Sequence, residues 1–506
     1  MQPNNDEEDV TEHTGLLQAE DVAVATPGAP SIEQSGDAIN PVEDVPWGEI
    51  LSARPVWALG VAKFGFYYSF FLVVTWLPSY LHEMGMNEHT SAYMSAVPFA
   101  VTVPFVVIFG VIANNMMANN FSKAFTRKLL GGICFSANAI CFYILTKIPV
   151  GKPWPAFNVM VVMYALNASF IAGVAVNVID IGAKYAGSIM ALTHIFATGA
   201  GFLSSVVTGM LVTRKGHYEN AFMVACAVNV VSLISYMFFS AFDAIFPAEE
   251  IDHKSNLPQK VKDFAKTSVW QYWPRRWNIM LFAFMADLIC YMDRANISAT
   301  MIPMAKKYGW SKQFEGICFG VFFLGLMSSH LVGGYLSDRY GAKNVLIFGV
   351  IWWSLFTILT PPSAVHPWLI VLVRFLMGTG EGVNFPAVYS LFSEWFPDDE
   401  ENVLVTFTEN GVYVGIVIAM LCVPFIEFHM GWEPVFYIFG SLGFVWAALF
   451  AVYGGSTPRD LCWDGKECTE DQLTGQMDPM EVEYIEATRS KGPDKQVKGM
   501  ANKKVD

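Results

Sequence analysis

The sequence contains twelve apolar stretches, each long enough to cross a lipid bilayer as a helix. They lie at residues 55–81, 92–113, 128–147, 157–181, 187–212, 220–246, 275–300, 314–336, 344–361, 366–392, 403–426 and 432–454. Only 15% of the 506 residues are charged, whereas a soluble domain usually has about 25%. We therefore expect an all-α membrane protein with twelve transmembrane helices in a lipid bilayer.

The twelve stretches fall into two groups of six, which gives the expected domain organisation. Residues 1–46 are acidic, contain no Lys or Arg, and are predicted to form a disordered cytosolic tail. A six-helix bundle is predicted at 47–246, a cytosolic linker at 247–274, a second six-helix bundle at 275–454, and a polar cytosolic tail at 455–506. Lys and Arg are more frequent in the loops that this arrangement places in the cytosol, as the positive-inside rule requires.

The remaining patterns exclude several functional classes. The chain has no phosphate-binding loop, serine elbow or zinc-binding motif, so we expect no enzyme, no catalytic residue, no metal site and no cofactor. A net charge of −14 without clusters of basic residues argues against a nucleic-acid partner. Two six-helix groups are typical of a secondary transporter, with a twelve-span enzyme or a channel as the alternative.

The most specific local motif is Gly-Gly-Tyr-Leu-Ser-Asp-Arg-Tyr-Gly-Ala-Lys at 333–343, at the cytosolic end of a predicted span. Gly334 and Gly341 allow close helix approach and a tight turn. Asp338 and Arg339 supply charges that can hold neighbouring helices in one conformation. We therefore predict a gating loop at this position.

This motif resembles the signature cytosolic loop of the major facilitator superfamily. Tyr-Met-Asp-Arg-Ala-Asn-Ile-Ser at 291–298 resembles the first-span motif of the anion:cation symporter family, the group of organic anion, sialic acid, vesicular glutamate and sodium-phosphate transporters. Residues 374–387 resemble the fourth-span motif of that group, and residues 177–187 resemble its tenth-span motif. The resemblance implies a major facilitator fold of six plus six helices and transport of a small organic or inorganic anion.

The two halves of the resemblance occur in swapped order. The family's first six spans resemble residues 275–454, and its last six resemble residues 55–246. A circular permutation cut in the central cytosolic loop explains this order without reversing any span, because every cut or joined end lies on the cytosolic side. A faulty or rearranged gene that joins two half-copies explains it as well, and its product would not transport.

Ionisable residues at bilayer depth are costly, so each is a functional hypothesis. Arg294 and Arg374 are candidate substrate-binding residues, because a guanidinium group matches a carboxylate or phosphate. The resemblance implies anion binding at Arg374 and proton coupling at Glu381. The alternatives are a structural pair of Arg294 with Asp293, and a static salt-bridge lock between helices at Arg374 and Glu381.

Tyr291, Tyr67 and Asn177 are expected to line the transport cavity. Lys63 is expected to extend its ammonium group to the membrane interface, and Glu409 has no assigned role.

Three further positions concern the substrate. His330 is expected to be a hydrogen-bonded packing residue rather than a pH sensor. Phe319 and Phe66 stand where some members of the resembled group carry a histidine and an arginine, which argues against vesicular glutamate transport. Phosphate, sialic acid, other carboxylates and urate-like anions all remain open.

We expect the anion to move with H⁺, or alternatively Na⁺, because a lone membrane carboxyl group suits a proton. A uniporter or an anion channel on the same fold is the alternative. Glu12, Leu16 and Leu17 fit an acidic dileucine signal, which predicts a sorting adaptor as partner. The expected location is an endosomal or lysosomal, vacuolar or plasma membrane.

Overall fold

The computed structural model describes residues 46–182, 186–212, 217–243, 245, 273–458, 481–482 and 484–485. Within these residues, every long regular element is a helix. The helices before residue 245 are α1 (Trp47–Ser52), α2 (Arg54–Glu83), α3 (Glu88–Ala118), α4 (Lys123–Leu145), α5 (Pro153–Asn167), α6 (Asn177–Gly182), α7 (Ala186–Leu211) and α8 (Glu219–Phe239). Those after residue 273 are α9 (Arg275–Tyr308), α10 (Lys312–Tyr340), α11 (Ala342–Ser363), α12 (Pro367–Glu381), α13 (Asn384–Trp395), α14 (Asp398–Met430) and α15 (Glu433–Tyr453).

Eleven helical segments of the described residues are long and apolar enough to cross a membrane, which confirms an all-α, multi-pass membrane protein. They match eleven of the twelve predicted spans. The remaining predicted span is α9, whose 34 residues are also long enough. Its apolar character is reduced by Asp287, Asp293 and Arg294, all three of which are buried in the protein. α9 therefore has the length of a span, but only the other eleven segments are both long and apolar enough to be identified as spans in the described residues.

The same pattern of helix packing occurs twice along the chain. In the first set, α2–α8, helix α2 packs on α7, α3 on α5, and α4 on α8. In the second set, α9–α15, helix α9 packs on α14, α10 on α12, and α11 on α15. The sets meet where α10 packs on α7, α14 on α3, and α9 on α2. This repeated pattern gives the transmembrane region an approximate internal symmetry.

Two spans are interrupted at points that matter for the site. The span at 153–182 contains a π-helical turn, Ile171–Ala175, between α5 and α6. The span at 367–395 breaks between α12 and α13, where the Gly382 carbonyl accepts a hydrogen bond from His330 Nδ1 at 2.6 Å. Irregular backbone at membrane depth is tolerated where it is buried in protein or lines a cavity, and π turns are frequent at functional sites.

Candidate functional site

A cavity of about 320 Å³ lies between the two helix sets. The first set contributes residues of α2, the π turn, α6 and α7, and the second set contributes residues of α9, α13 and α14. Its lining is dominated by rings, which are those of Phe66, Tyr67, Phe70, Phe170, His194, Tyr291, Phe385, Tyr389, Phe392 and Tyr413. Lys63 and Glu409 are the charged members of the lining among the described residues.

Lys63 lies ten residues into α2 and is 2% exposed. Its ammonium group donates a hydrogen bond to Thr193 Oγ1 at 2.9 Å and lies 2.8 Å from the thioether sulfur of Met190. Within the described residues, no carboxylate comes within 4.0 Å of it. The expectation that Lys63 extends to the interface is therefore wrong, because α7 covers it and gives it buried partners.

Glu409, which the sequence left without a role, lies on the α14 side of the same cavity. The Tyr389 hydroxyl donates to its Oε1 at 2.6 Å. Across the part of the chain that the structure describes, its second carboxylate oxygen has no hydrogen-bond partner. The sequence shows a carboxylate about two helical turns into a predicted span. It does not show that this carboxylate faces the cavity, because that depends on how the helices pack.

Arg294 and Glu381, from α9 and α12, form a buried ion pair in which Arg294 Nε and Glu381 Oε2 are 2.5 Å apart. The Arg294 guanidinium also lies 4.3 Å from the ring centroid of Tyr291, which lines the large cavity. Cys290 contacts both members of the pair. Arg294 thus contacts the cavity wall while its charge is balanced by Glu381.

Arg374 lies on α12 and is 2% exposed, with its guanidinium 4.7 Å from the Phe322 ring. Its Nε has no hydrogen-bond partner among the described residues, and its Nη1 lies 3.1 Å from the sulfur of Met377. Arg294 and Arg374 together line a second, much smaller cavity of about 20 Å³. Phe319 lies in the wall of this small cavity.

Of the three residues predicted to line the transport cavity, two do so and one does not. Tyr67 and Tyr291 line the large cavity. Asn177 is 1% exposed in α6 and belongs to neither cavity lining, although its neighbours Val176 and Val178 line the large one. The substrate-binding role of all three remains a prediction.

His330 lies where the two helix sets meet. In addition to its bond with Gly382, its Nε2 lies 3.3 Å from Thr198 Oγ1 on α7. Its ring centroid is 5.5 Å from that of His194, which lines the large cavity. His330 therefore connects the break in the 367–395 span to the opposite helix set.

The predicted gating loop joins α10 to α11. Gly341 adopts a positive φ of 83°, the left-handed region that favours glycine, and makes the turn between the two helices. Gly334 lies within α10, and Arg339 donates a hydrogen bond to the Tyr335 hydroxyl at 2.9 Å. The Asp338 side chain and the sorting residues Glu12, Leu16 and Leu17 lie outside the described residues.

At the end of the protein near the α2–α3 and α9–α10 turns, the two helix sets contact each other. Lys312 at the start of α10 pairs with Glu83 at the end of α2 at 2.8 Å. Nearby, α7 and α10 cross at Gly209 and Gly316 so closely that a Cβ on Gly209 would lie 2.7 Å from the Lys312 carbonyl oxygen. Towards the opposite end, the large cavity reaches Ser393 and Thr406, near the turn between α13 and α14.

Residues 283–461 match the sequence model of the Major Facilitator Superfamily. The chain is 43% identical over 193 residues to "Sodium-dependent phosphate transport protein 1, chloroplastic" of Arabidopsis thaliana, covering 38% of this chain and 38% of that protein. It is 42% identical over 193 residues to "Ascorbate transporter, chloroplastic" of the same plant, covering 38% of this chain and 36% of that protein. It is 34% identical over 263 residues to "Probable anion transporter 2, chloroplastic" of Oryza sativa subsp. japonica, covering 52% of this chain and 45% of that protein. The chain thus spans less than half the length of these relatives.

Solved structures share the fold over a longer part of the chain. A POT family transporter in complex with 5-aminolevulinic acid aligns with a TM-score of 0.61 at 10% identity, covering 79% of this chain and 96% of that one. The nucleoside transporter NupG aligns with a TM-score of 0.55 at 14% identity, covering 79% of this chain and 98% of that one. At these identities, the likeness establishes the fold alone.

Proposed function

From the premise that residues 283–461 form a Major Facilitator Superfamily domain, in a chain that has the fold of solved transporters, we propose a secondary transporter of a small anion. Transport is coupled to H⁺ and proceeds by alternating access. The observation that carries this proposal is a cavity lined by both helix sets, with buried cationic side chains in and beside its wall.

Three buried cationic side chains in or near the cavity wall can bind an anion inside the membrane region. Lys63 lines the cavity, Arg294 stacks on the cavity residue Tyr291, and Arg374 lies next to Arg294 in the smaller cavity. Cationic groups inside a low-dielectric wall attract and concentrate anions. Phosphate and ascorbate, which two of the relatives' names mention, are both anions. We therefore assign substrate binding to the cavity and to these cations, with Tyr67 and Tyr291 in its wall.

The Arg294–Glu381 pair offers a physical route to proton coupling. A proton on Glu381 removes the charge that balances Arg294, which leaves the guanidinium group free to attract an anion. Loss of that proton restores the ion pair and weakens anion binding. Each ligand then raises the affinity for the other, as coupled transport requires.

Alternating access is supported by the asymmetry of the contacts between the two sets. The Lys312–Glu83 pair and the Gly209–Gly316 crossing close one end, whereas the cavity extends towards the other. In the orientation predicted from loop charge, the closed end faces away from the cytosol. We infer a cytosol-facing state, and we assign gating to the loop of Gly334, Asp338, Arg339 and Gly341.

Transport is tested with the full chain in proteoliposomes. Uptake of radiolabelled phosphate, ascorbate and benzoate is measured with a pH gradient, with a Na⁺ gradient and with neither. We expect the pH gradient to drive at least one anion above equilibrium. Glu381→Gln should abolish this accumulation while leaving anion exchange, and Glu433→Gln, which changes a partly exposed carboxylate outside the cavity, should behave like the wild type.

The other outcomes separate the alternatives. Equilibration of an anion without a response to either gradient would indicate a uniporter or a channel. Accumulation driven by Na⁺ alone would replace H⁺ as the coupling ion. Absence of anion flux through a folded, reconstituted protein would contradict the proposal.

We propose that the protein works in an organelle membrane. The relatives' names place those proteins in chloroplasts. The run containing Glu12, Leu16 and Leu17 fits a sorting signal for endosomes or lysosomes. A fluorescent fusion of the full chain locates the protein. Redistribution after Leu16→Ala with Leu17→Ala would support an adaptor at this run, and an unchanged location would remove it.

A further inference from the structure

Lys63 and Glu409 form a charge arrangement in the large cavity that the coupling scheme above does not use. Lys63 comes from α2 in the first helix set, and Glu409 comes from α14 in the second. The two groups interact electrostatically. Within the described residues, however, they do not meet as an ion pair within 4.0 Å. They are therefore opposite charges that share one cavity without neutralising each other by direct contact.

Both groups keep hydrogen-bonding capacity for a bound molecule. An ammonium group has three N–H donors. Two are accounted for by Thr193 and by the sulfur of Met190, which is a weak acceptor. Glu409 accepts from Tyr389 at one carboxylate oxygen, and its other oxygen has no partner in the described structure. A guest can therefore receive a hydrogen bond from Lys63 and donate one to Glu409.

The rest of the wall defines the shape of the guest. Ten of the lining residues carry rings, contributed by both helix sets. Aromatic faces favour flat, unsaturated bodies through stacked and edge-on contacts. The cavity volume of about 320 Å³ lies at the lower end of the range typical of small-molecule sites, roughly 300–1,000 Å³. The wall therefore suits a flat organic molecule better than a small, strongly hydrated inorganic ion.

We propose that Lys63 and Glu409 form a two-point site for a planar organic acid that carries a hydrogen-bond donor at the end opposite its carboxylate. The carboxylate binds Lys63, and the donor binds Glu409. This inference rests on the proposed anion transport and narrows its substrate class. It also makes Glu409 a specificity-determining residue, because a molecule without the donor leaves a carboxylate unpaired inside the cavity.

The groups around Glu409 favour a donor at that end. Titratable side chains that interact with it are Lys63 and Tyr67 on α2, Asp287 and Tyr291 on α9, Tyr389 on α13, and Tyr413 on α14. Asp287, which accepts a hydrogen bond from Asn384 at 2.7 Å, adds a second carboxylate to this region. An acceptor or a second anionic group of the guest would meet these carboxylates unfavourably.

The test uses three matched probes on the purified full chain in lipid nanodiscs. The probe 4-hydroxybenzoate has both groups, 4-methoxybenzoate lacks the donor, and 4-hydroxybenzamide lacks the charge. Dissociation constants are measured by competition against radiolabelled 4-hydroxybenzoate. The methoxy probe loses the hydrogen bond to Glu409, and the amide probe loses the negative charge that pairs with Lys63. We therefore expect each incomplete probe to bind the wild type at least about tenfold more weakly.

Single substitutions test which group of the probe each of Lys63 and Glu409 binds. Glu409→Gln should weaken 4-hydroxybenzoate by about tenfold without weakening 4-methoxybenzoate, which no longer leaves a carboxylate unpaired. Lys63→Gln should weaken both carboxylates to a similar degree and leave the amide unchanged. Lys152→Gln and Glu433→Gln, which change groups outside the cavity, should match the wild type, and gel filtration shows whether each variant is folded.

Several results would overturn the inference. Equal binding of the hydroxy and methoxy probes to the wild type would remove the donor contact. An equal effect of Glu409→Gln on both probes would mean that Glu409 acts on folding or gating. Tighter binding of L-tyrosine than of 4-hydroxybenzoate would assign the site to zwitterions instead.

The inference and the transport proposal can fail separately. Proton-driven uptake of phosphate or ascorbate without selective binding of the probes would leave transport standing and remove this site. Conversely, the predicted probe pattern in a protein that moves no anion would support the site and contradict the transport proposal.

Discussion

Replacing Arg294 by Met tests whether the centre of the protein depends on a buried ion pair. The substitution keeps an unbranched side chain but leaves Glu381, which is fully buried, without its cationic partner. Breaking a buried pair by removing one member typically costs about 3–5 kcal/mol, because an uncompensated charge remains inside. At about 2 °C per kcal/mol, the lower end of the range for mid-sized domains, we expect a fall of roughly 6–10 °C in the unfolding temperature.

The assay is thermal unfolding in detergent, followed by intrinsic tryptophan fluorescence. The double variant Arg294→Met with Glu381→Gln should recover most of the loss, because replacing both members of a buried pair is often nearly neutral. Lys307→Met, which removes the exposed partner of Glu433, should leave the unfolding temperature unchanged. A shift in Arg294→Met no larger than that of Lys307→Met, or a double variant less stable than the single one, would refute a buried, ionised pair.

Three further predictions concern the two ends of the bundle and the order of its halves. Lys312→Gln removes the ion pair with Glu83, so spin labels in the α2–α3 and α9–α10 turns should move apart in pulsed distance measurements; unchanged distances would argue against a latch. Glu481→Ala should lower the free energy of unfolding by at least about 1–2 kcal/mol, because this carboxylate accepts from the backbone N–H groups of Arg275 and Arg276 at 3.0 and 3.1 Å and also pairs with the buried Arg276 guanidinium at 3.1 Å; an unaltered melting curve would contradict this role. Mass spectrometry of the native protein should find peptides spanning 247–274, and their absence would favour a rearranged or misassembled gene over a permutation.

Features that depend on a local run of residues were predictable from the sequence. Eleven spans follow from the length of their apolar runs, whereas Asp287, Asp293 and Arg294 interrupt the run of the twelfth predicted span, α9. The turn at Gly341 follows from a residue that tolerates positive φ. The sequence also indicates that Arg374 and Glu381, two helical turns apart, need partners from other helices, but it does not identify Arg294 as the partner of Glu381.

Features that depend on which helix faces which were not predictable. Lys63 lies close enough to the start of α2 for its long side chain to reach the interface, and only the packing of α7 over it makes it a buried cavity residue. Glu409 accepts a hydrogen bond from Tyr389 on α13, and the sequence does not show that these two helices bring the residues together. Asn177 is predicted to line the cavity, yet the turn of α6 places it outside the lining that Val176 and Val178 join. Whether each of these residues faces the cavity depends on how its helix packs against the others, which the sequence alone does not show.

The balance of buried charge gives the proposed coupling of anion binding to protons a physical reason that does not depend on any one carboxyl group. The buried or cavity-lining ionisable residues near the centre of the described structure include three cations, Lys63, Arg294 and Arg374, and four carboxyl groups, Asp287, Asp293, Glu381 and Glu409. If all seven were ionised, this group would carry one net negative charge in a region of low dielectric constant, where an unbalanced charge is costly. One bound proton makes it neutral, and entry of a monovalent anion requires one more. A site of this composition that admits an anion therefore gains from admitting a proton with it, whichever carboxyl group carries that proton.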